Sequence, residues 1–225
     1  MFGPKISVEF HRKDKKDGPI KLEFGLPQNE EEYAKLATGW LNDSRIRLYM
    51  SMLYPLSLSG EIDWLKNQNT PEKENDVVWC IYKDGRPIGS VGLHKIDKVH
   101  QRAELGILIG EQAEWGKGIA QVAEATVFEF GFSNIVAGGL HKIMAYVLEG
   151  NDASRQALRK VGMSDVGTQR EDIWHQGKWY DIWQGEILSK EWQKIRLKKF
   201  KQVGIKKLTL YPECEKIGFL PIVVK

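Results

Sequence analysis

The chain has 225 residues, a net charge of +3, 42% apolar and 28% charged residues, and two cysteines. Such a chain holds one domain of ordinary size with an appendage, and its composition excludes disordered, fibrous and collagen-like classes. No apolar run approaches a membrane span, Met1 to Lys5 carries no signal-peptide core, and Cys80 and Cys214 lack metal-ligand spacing. No membrane partner, metal or disulfide framework is therefore expected, and the cytoplasm is the expected location.

Taken in order, Ile6 to Phe10 and Ile20 to Phe24 alternate apolar and polar residues and predict two strands joined by the charged loop His11 to Asp17. Glu30 to Leu41 carries Tyr33, Leu36, Ala37, Trp40 and Leu41 at helical spacing, and a second helical stretch, Arg45 to Met52, follows. Glu61 to Lys66 predicts a further helix. Val77 to Tyr82 and Pro87 to Leu93 flank an Asp-Gly turn and predict a hairpin. A strand, Ala103 to Ile109, leads through a loop into Trp115-Gly116-Lys117-Gly118-Ile119-Ala120. After it Ile119, Ala123, Val127 and Phe130 mark a helix. Last come a strand at His141 to Val147, a helix at Asp152 to Val161, and strands at Asp165 to Trp174 and Lys178 to Ile187. The order predicts an α/β fold, a mixed sheet with helices on both faces.

A glycine turn opening a helix offers unpaired N–H groups, the positive end of the helix dipole and no Cβ to block approach, so it can seat a phosphate. A nucleotide P-loop needs Ser or Thr after Gly-Lys, and here Gly118 follows Lys117; the dinucleotide fingerprint needs a third glycine where Gln121 stands. The pattern that fits resembles the pyrophosphate loop of the GNAT acetyltransferases, Q/R-x-x-G-x-G/A, with Trp115 first, Gly118 fourth and Ala120 sixth. Trp at the first position departs from the general pattern but is similar to the RimJ/RimL branch, the ribosomal-protein N-terminal acetyltransferases. A second stretch, Asn151-Asp152-Ala153-Ser154 with its helix and Val161-Gly162-Met163, resembles the same family's N-x-x-S segment, with Met163 in place of Phe. Its bland reading is a capped surface helix. The resemblance spans about residues 20 to 189, and the remainder, 190–225, reads as a basic C-terminal extension.

The resemblance implies acetyl-CoA as donor and a primary amine as acceptor. It assigns the pyrophosphate to Trp115, Gly116, Lys117, Gly118, Ile119 and Ala120. The pantetheine arm falls to Leu108 and Ile109 on a strand that splays from its neighbour, and to Asn151, with Ser154 near the thiol. An ammonium must lose a proton before it attacks, and Glu104 is the first candidate base, with Glu171 or Asp172 as alternatives. The family's usual Tyr acid is replaced by Leu158, which leaves Ser154 as the group beside the thiolate. Neither cysteine has a placed base, so direct attack in a ternary complex is expected.

The implied acceptor is a protein N-terminal α-amine, with amino sugars, polyamines and aminoglycosides as the alternative. Trp40, Tyr49, Met50 and Tyr54 are candidate acceptor contacts, each weighed against simple burial in the core. A non-catalytic acyl-CoA sensor or scaffold is a rival class, as is a tRNA-directed enzyme using the lysines after Ser189. Those lysines read better as the wet face of an amphipathic helix that packs Trp192, Ile195, Phe200 and Val203. A homodimer is left open.

Overall fold

The structure, a computed structural model, describes residues 2–12, 18–50, 54–68, 75–133, 138–211 and 221–224. Among these residues ten strands form one sheet: β1 (Ile6–Phe10), β2 (Ile20–Gly25), β3 (Val77–Lys83), β4 (Arg86–Asp97), β5 (Arg102–Ile109), β6 (Lys142–Leu148), β7 (Ser164–His175), β8 (Lys178–Leu188), β9 (Ile205–Leu210) and β10 (Ile222–Val223). Their spatial order is β10-β9-β1-β2-β3-β4-β5-β6-β8-β7, and all described pairings are antiparallel except β5 with β6. Among the described residues six α-helices accompany them: α1 (Glu30–Asn42), α2 (Ser44–Arg47), α3 (Leu58–Asn67), α4 (Ile119–Phe132), α5 (Asp152–Val161) and α6 (Ser189–Val203).

Strand alternation divides the apolar residues between two cores. On one face Trp79, Val91, Leu93 and Leu105 pack beneath α4, whose Val122, Ala123, Val127 and Phe130 are buried. On the other, Val78, Cys80 and Tyr82 pack beneath α1 and α3 with Tyr33, Trp40 and Leu65. The α4 helix is apolar nearly all round because it lies between the sheet, α5 and α6.

The segment after Ser189, expected as an extension, continues this same sheet and core. Trp192 and Phe200 are fully buried, and Trp192 stacks edge-on against Phe128 of α4 at 5.4 Å. Its indole N–H donates to Glu129 Oε2 at 2.9 Å, and Glu129 also pairs with Arg196. Strand β9 then pairs with β1, tying the C-terminal segment to the N-terminal strand. The amphipathic reading holds: Ile195 and Val203 lie against the core, while Lys190, Lys194 and Lys198 point to water.

The second helical stretch is shorter than expected. It ends at Arg47, where α2 passes into a turn, and residues 51–53 lie outside the described residues. Cys214 and residues 13–17 of the charged loop His11 to Asp17 also fall outside them.

Candidate active site

The loop between β5 and α4 is built by short-range bonds. The Glu111 carboxylate accepts from the Ala113 N–H and starts a single 3-10 turn, Gln112–Glu114. Gln112 Nε2 reaches Asp43 Oδ2 at 3.0 Å and fastens the loop to the α1–α2 junction. Glu114 sits between Lys83 Nζ at 2.8 Å and Lys117 Nζ at 3.2 Å. Burial pushes its carboxyl up, but the hydrogen bonds and charges of the two lysines outweigh that and leave it below the ordinary range. The Trp115 indole N–H donates to the Ile109 carbonyl at 2.6 Å, so this side chain staples the loop to the end of β5.

Gly116 and Gly118 both adopt left-handed backbone, with φ of 72° and 81°. Gly118 is the N-cap of α4. No side chain caps this helix, and no acid stands in its first turn to compete for its N–H groups. A Cβ placed on Gly116 would meet nothing within 4 Å, and one on Gly118 would meet only Gln121 Oε1 at 4.0 Å. The turn thus presents open, donor-rich, positively polarised space beside Lys117, which is the donor chemistry a pyrophosphate requires.

Beside this loop the sheet opens. Strand β5 pairs with β4 over its whole length, from Arg102 to Ile109, but with β6 only at Arg102, Ala103 and Glu104. Beyond the Glu104–Met144 pair the two strands diverge, so Leu105 to Ile109 present a sheet edge to a split. An edge of this kind can pair in sheet fashion with an extended amide-bearing chain such as pantetheine. Leu108 packs toward α1 and α3, while Ile107 and Ile109 pack toward α4. Two glycine approaches, an uncapped helix end and an unpaired stretch of β5 thus occur side by side.

Glu104 lies at the foot of the split on the α1 side of the sheet, half-buried, and its carboxylate pairs with the exposed Lys95 at 3.0 Å. Strands β6 and β8 stand between it and Glu171 and Asp172, which are exposed on edge strand β7. Asn151 uses Oδ1 to accept the Ser154 N–H at 3.3 Å as the N-cap of α5, and Ser154 is half-buried in the first turn. Both stand by the end of β6, where Asn151, Asp152, Arg155, Thr168 and Trp183 line a cavity of about 380 Å³. Leu158 is turned into the main core, so that helix position has no route to a thiolate.

Of the acceptor-wall candidates, Trp40 is a core residue. Its ring lies on Gly110 so closely that an added Cβ would sit 2.1 Å away, and it is edge-on to Tyr33 at 6.1 Å. Met50 packs against the second core, whereas Tyr49 and Tyr54 are exposed. Cys80 is a free, buried thiol pushed up to about 12 by burial, with a nearby Tyr33 hydrogen bond only partly opposing that; it is unsuited to nucleophilic work. Among the described residues no group of His, Cys, Asp and Glu could hold a metal ion.

Sequence reasoning missed His94. It stands opposite Glu104 in the β4–β5 register, and its ring lies over the paired glycines Gly92 and Gly106. The signal was there to be used: aligning Leu93 with Leu105 across the turn after Asp97 brings His94 beside Glu104 and two glycines beyond them.

Comparison with known proteins agrees with this geometry. The profile of the GNAT acetyltransferase domain matches residues 23–164. The chain is 28% identical over 166 residues to the candidate ribosomal N-acetyltransferase YdaF of Bacillus subtilis (strain 168), covering 74% of this chain and 83% of that one. Two solved structures share the fold. RimJ of Mycobacterium smegmatis in complex with CoA-disulfide has a TM-score of 0.71 at 16% identity, covering 88% of this chain and 94% of that one. Spermidine N-acetyltransferase of Vibrio cholerae in complex with CoA and spermine has a TM-score of 0.66 at 21% identity, covering 77% and 98%. The uncapped glycine turn, the split beside it and the matching profile give one answer: this chain belongs to the GNAT acetyltransferase family and is an acetyl-CoA-dependent N-acetyltransferase.

Proposed function

We propose that this enzyme acetylates the α-amine at a protein N-terminus, as the RimJ/RimL-like wording of its phosphate loop suggests. The observation that carries this reading is the balanced charge of the acceptor wall at the α1–α2 junction and the foot of the split. Asp43 is engaged by Arg45 and Gln112, Glu104 is balanced by Lys95, and the acids Glu30, Glu31 and Glu32 stand in the first turn of α1, at its opposite end, with Glu31 paired to Lys35. A wall of this kind suits a single ammonium on a peptide better than a polycation, which needs several acids in series. The likeness to YdaF and RimJ supports the same reading.

Bound acetyl-CoA supplies a thioester activated for acyl transfer. In this reading the chain's own parts do the rest. Gly116 to Ala120 hold the pyrophosphate by backbone N–H groups, with Lys117 adding charge; Trp115, expected to share in this, donates its own N–H to the Gln112 carbonyl and ties the loop to β5 instead. Leu108 and Ile109 pair with the pantetheine amides and fix the thioester in the split. Glu104 draws the acceptor's ammonium to the foot of the split. Asn151 and Ser154 flank the pantetheine arm and the departing sulfur.

A second acceptor class, polyamines, is favoured by the fold shared with an enzyme solved with spermine and by 32% identity over 103 residues to the spermidine N(1)-acetyltransferase of Escherichia coli (strain K12). A thiol-release assay with acetyl-CoA decides between them. N-terminal peptides are expected to support turnover well above spermidine, amino sugars and aminoglycosides. Preferred turnover of spermidine would overturn the acceptor assignment. Acetyl-CoA binding without turnover on any amine would replace it by a sensor.

A further inference from the structure

His94 stands beside Glu104 on the same face of the sheet. Its ring is held flat on the strands. An ideal Cβ on Gly92 would come within 2.9 Å of Nε2, and one on Gly106 within 3.0 Å of both Nε2 and Cδ2. Those two glycines face each other across β4 and β5, so the ring occupies the space where two side chains would otherwise stand. The other nitrogen, Nδ1, faces Asp76 Oδ1 at 3.6 Å. That carboxylate is fixed in turn by the Lys95 N–H at 2.9 Å, in the bulge where β4 adopts a φ of 50°. At that distance the Asp76 carboxylate acts on Nδ1 by its charge and not by a hydrogen bond, and its field favours a proton on Nδ1 with the lone pair on Nε2.

The position of that lone pair carries the argument. Gly106 is two residues past Glu104 and already within the stretch of β5 that has left β6. Nε2 therefore stands over the mouth of the split, about one strand spacing (~4.8 Å) from the opening. Glu104 lies one step behind it with its charge shared by Lys95. The charged groups facing the ring are thus Asp76 from the segment before β3, Glu104 from β5 and Lys95 from β4; Val77 and Val78 of β3 bring none. A carboxylate is a weak base toward an ammonium, whereas an imidazole is matched to neutral pH.

We propose that His94 is the proton acceptor of the reaction, oriented by Asp76, with Glu104 as the charge that holds the ammonium. The assignment rests on the acetyl-transfer reading above. One proton of the ammonium passes to Nε2 and on to solvent. The freed nitrogen lone pair forms the C–N bond, the C–S bond breaks with its electrons on sulfur, and the second proton shed by nitrogen ends on the thiol.

The test compares the unaltered enzyme with His94→Gln and Asp76→Asn, using acetyl-CoA and the best amine from the thiol-release panel. His94→Gln is expected to lower kcat by about 10² to 10⁴ fold at neutral pH and to move the acidic limb of the pH profile up toward the amine's own range, about 8 for an α-amine, while calorimetry shows acetyl-CoA affinity retained. Imidazole 15N NMR of the free enzyme is expected to show the neutral His94 ring protonated at Nδ1, and Asp76→Asn to mix the tautomers. A His94→Gln enzyme with undiminished kcat and an unmoved acidic limb overturns the assignment and leaves the acetyl-transfer reading standing. An unaltered tautomer in Asp76→Asn overturns the role of Asp76. Failure of the unaltered enzyme to acetylate any amine overturns both readings.

Discussion

Replacing Gly118 by Ala separates what the glycine does for the fold from what it does for the ligand. In the free protein the cost is conformational, because a left-handed φ of 81° is being imposed on a residue with a Cβ. That costs about 1 to 2 kcal/mol. The new methyl itself enters open space, with its nearest neighbour, Gln121 Oε1, at 4.0 Å. For a chain of this size the melting temperature is expected to fall by about 2 to 8 °C, from about 2 to 4 °C per kcal/mol. The same methyl, however, points where the pyrophosphate must approach. Loss of two charge-assisted hydrogen bonds, at about 1.5 to 3 kcal/mol each, corresponds to about 10² to 10⁴ fold weaker CoA binding. Gly85→Ala is the control. It has a φ of 75° and equally open surroundings, but stands in the β3–β4 turn, so it is expected to cost similar stability and leave CoA affinity unchanged. The assay is titration calorimetry with CoA alongside thermal melts of both variants. A Gly118→Ala protein that melts early and still binds CoA as the unaltered protein does would refute the assignment of this turn to phosphate.

Trp115→Phe keeps the ring and removes the 2.6 Å bond to the Ile109 carbonyl. Stability is expected to fall by about 1 kcal/mol, with CoA affinity falling several-fold as the loop loses its tie to β5; equal affinity would show the tie to be idle. Glu104→Gln is expected to raise KM for the amine while sparing CoA affinity, and the defect to shrink as pH rises toward the amine's own ~8 to ~10.4, where no ammonium needs attracting. A defect constant with pH would remove Glu104 from the site. Ending the chain at Ser189 strips two fully buried aromatic residues and the partner strand of β1, so the product is expected to be insoluble or unfolded; Trp192→Ala alone costs about 3 to 5 kcal/mol, readable by urea denaturation. Glu124 of α4 is fully buried without a hydrogen-bond partner among the described residues, and burial holds its carboxyl well above the usual range. The unfolded chain releases that proton first, so its contribution is intact below the ordinary carboxylate range and is lost as pH rises from there toward the folded value. Glu124→Gln is therefore expected to gain stability over the parent as pH increases from acid to neutral; a difference independent of pH would refute the buried proton.

The sequence by itself determined the elements and the chemistry class. Apolar residues alternate in β1 and β2, run continuously in β3 and β6, and recur at helical spacing in α1 and α4, because these patterns are local properties of the chain. The glycines at 116 and 118 and the Asn151 cap were legible for the same reason: a left-handed turn and a helix N-terminus are set by the residues that form them. Tertiary structure decided what depends on distant partners. The lysines after Ser189 suggested an appendage, yet burial of Trp192 and Phe200 under α4 and the pairing of β9 with β1 make that segment part of the core. Trp40 was sequence-compatible with an acceptor wall and is instead packed on Gly110. Trp115, whose letter alone allowed stacking or filling, donates a hydrogen bond six residues back. His94 acquires meaning only from register: the β4–β5 pairing sets it beside Glu104, two glycines clear its place, and Asp76 arrives from another turn of the chain. Periodicity reports which way a side chain faces, whereas a site also needs to know what faces it, and that is fixed by pairings between residues far apart in the chain.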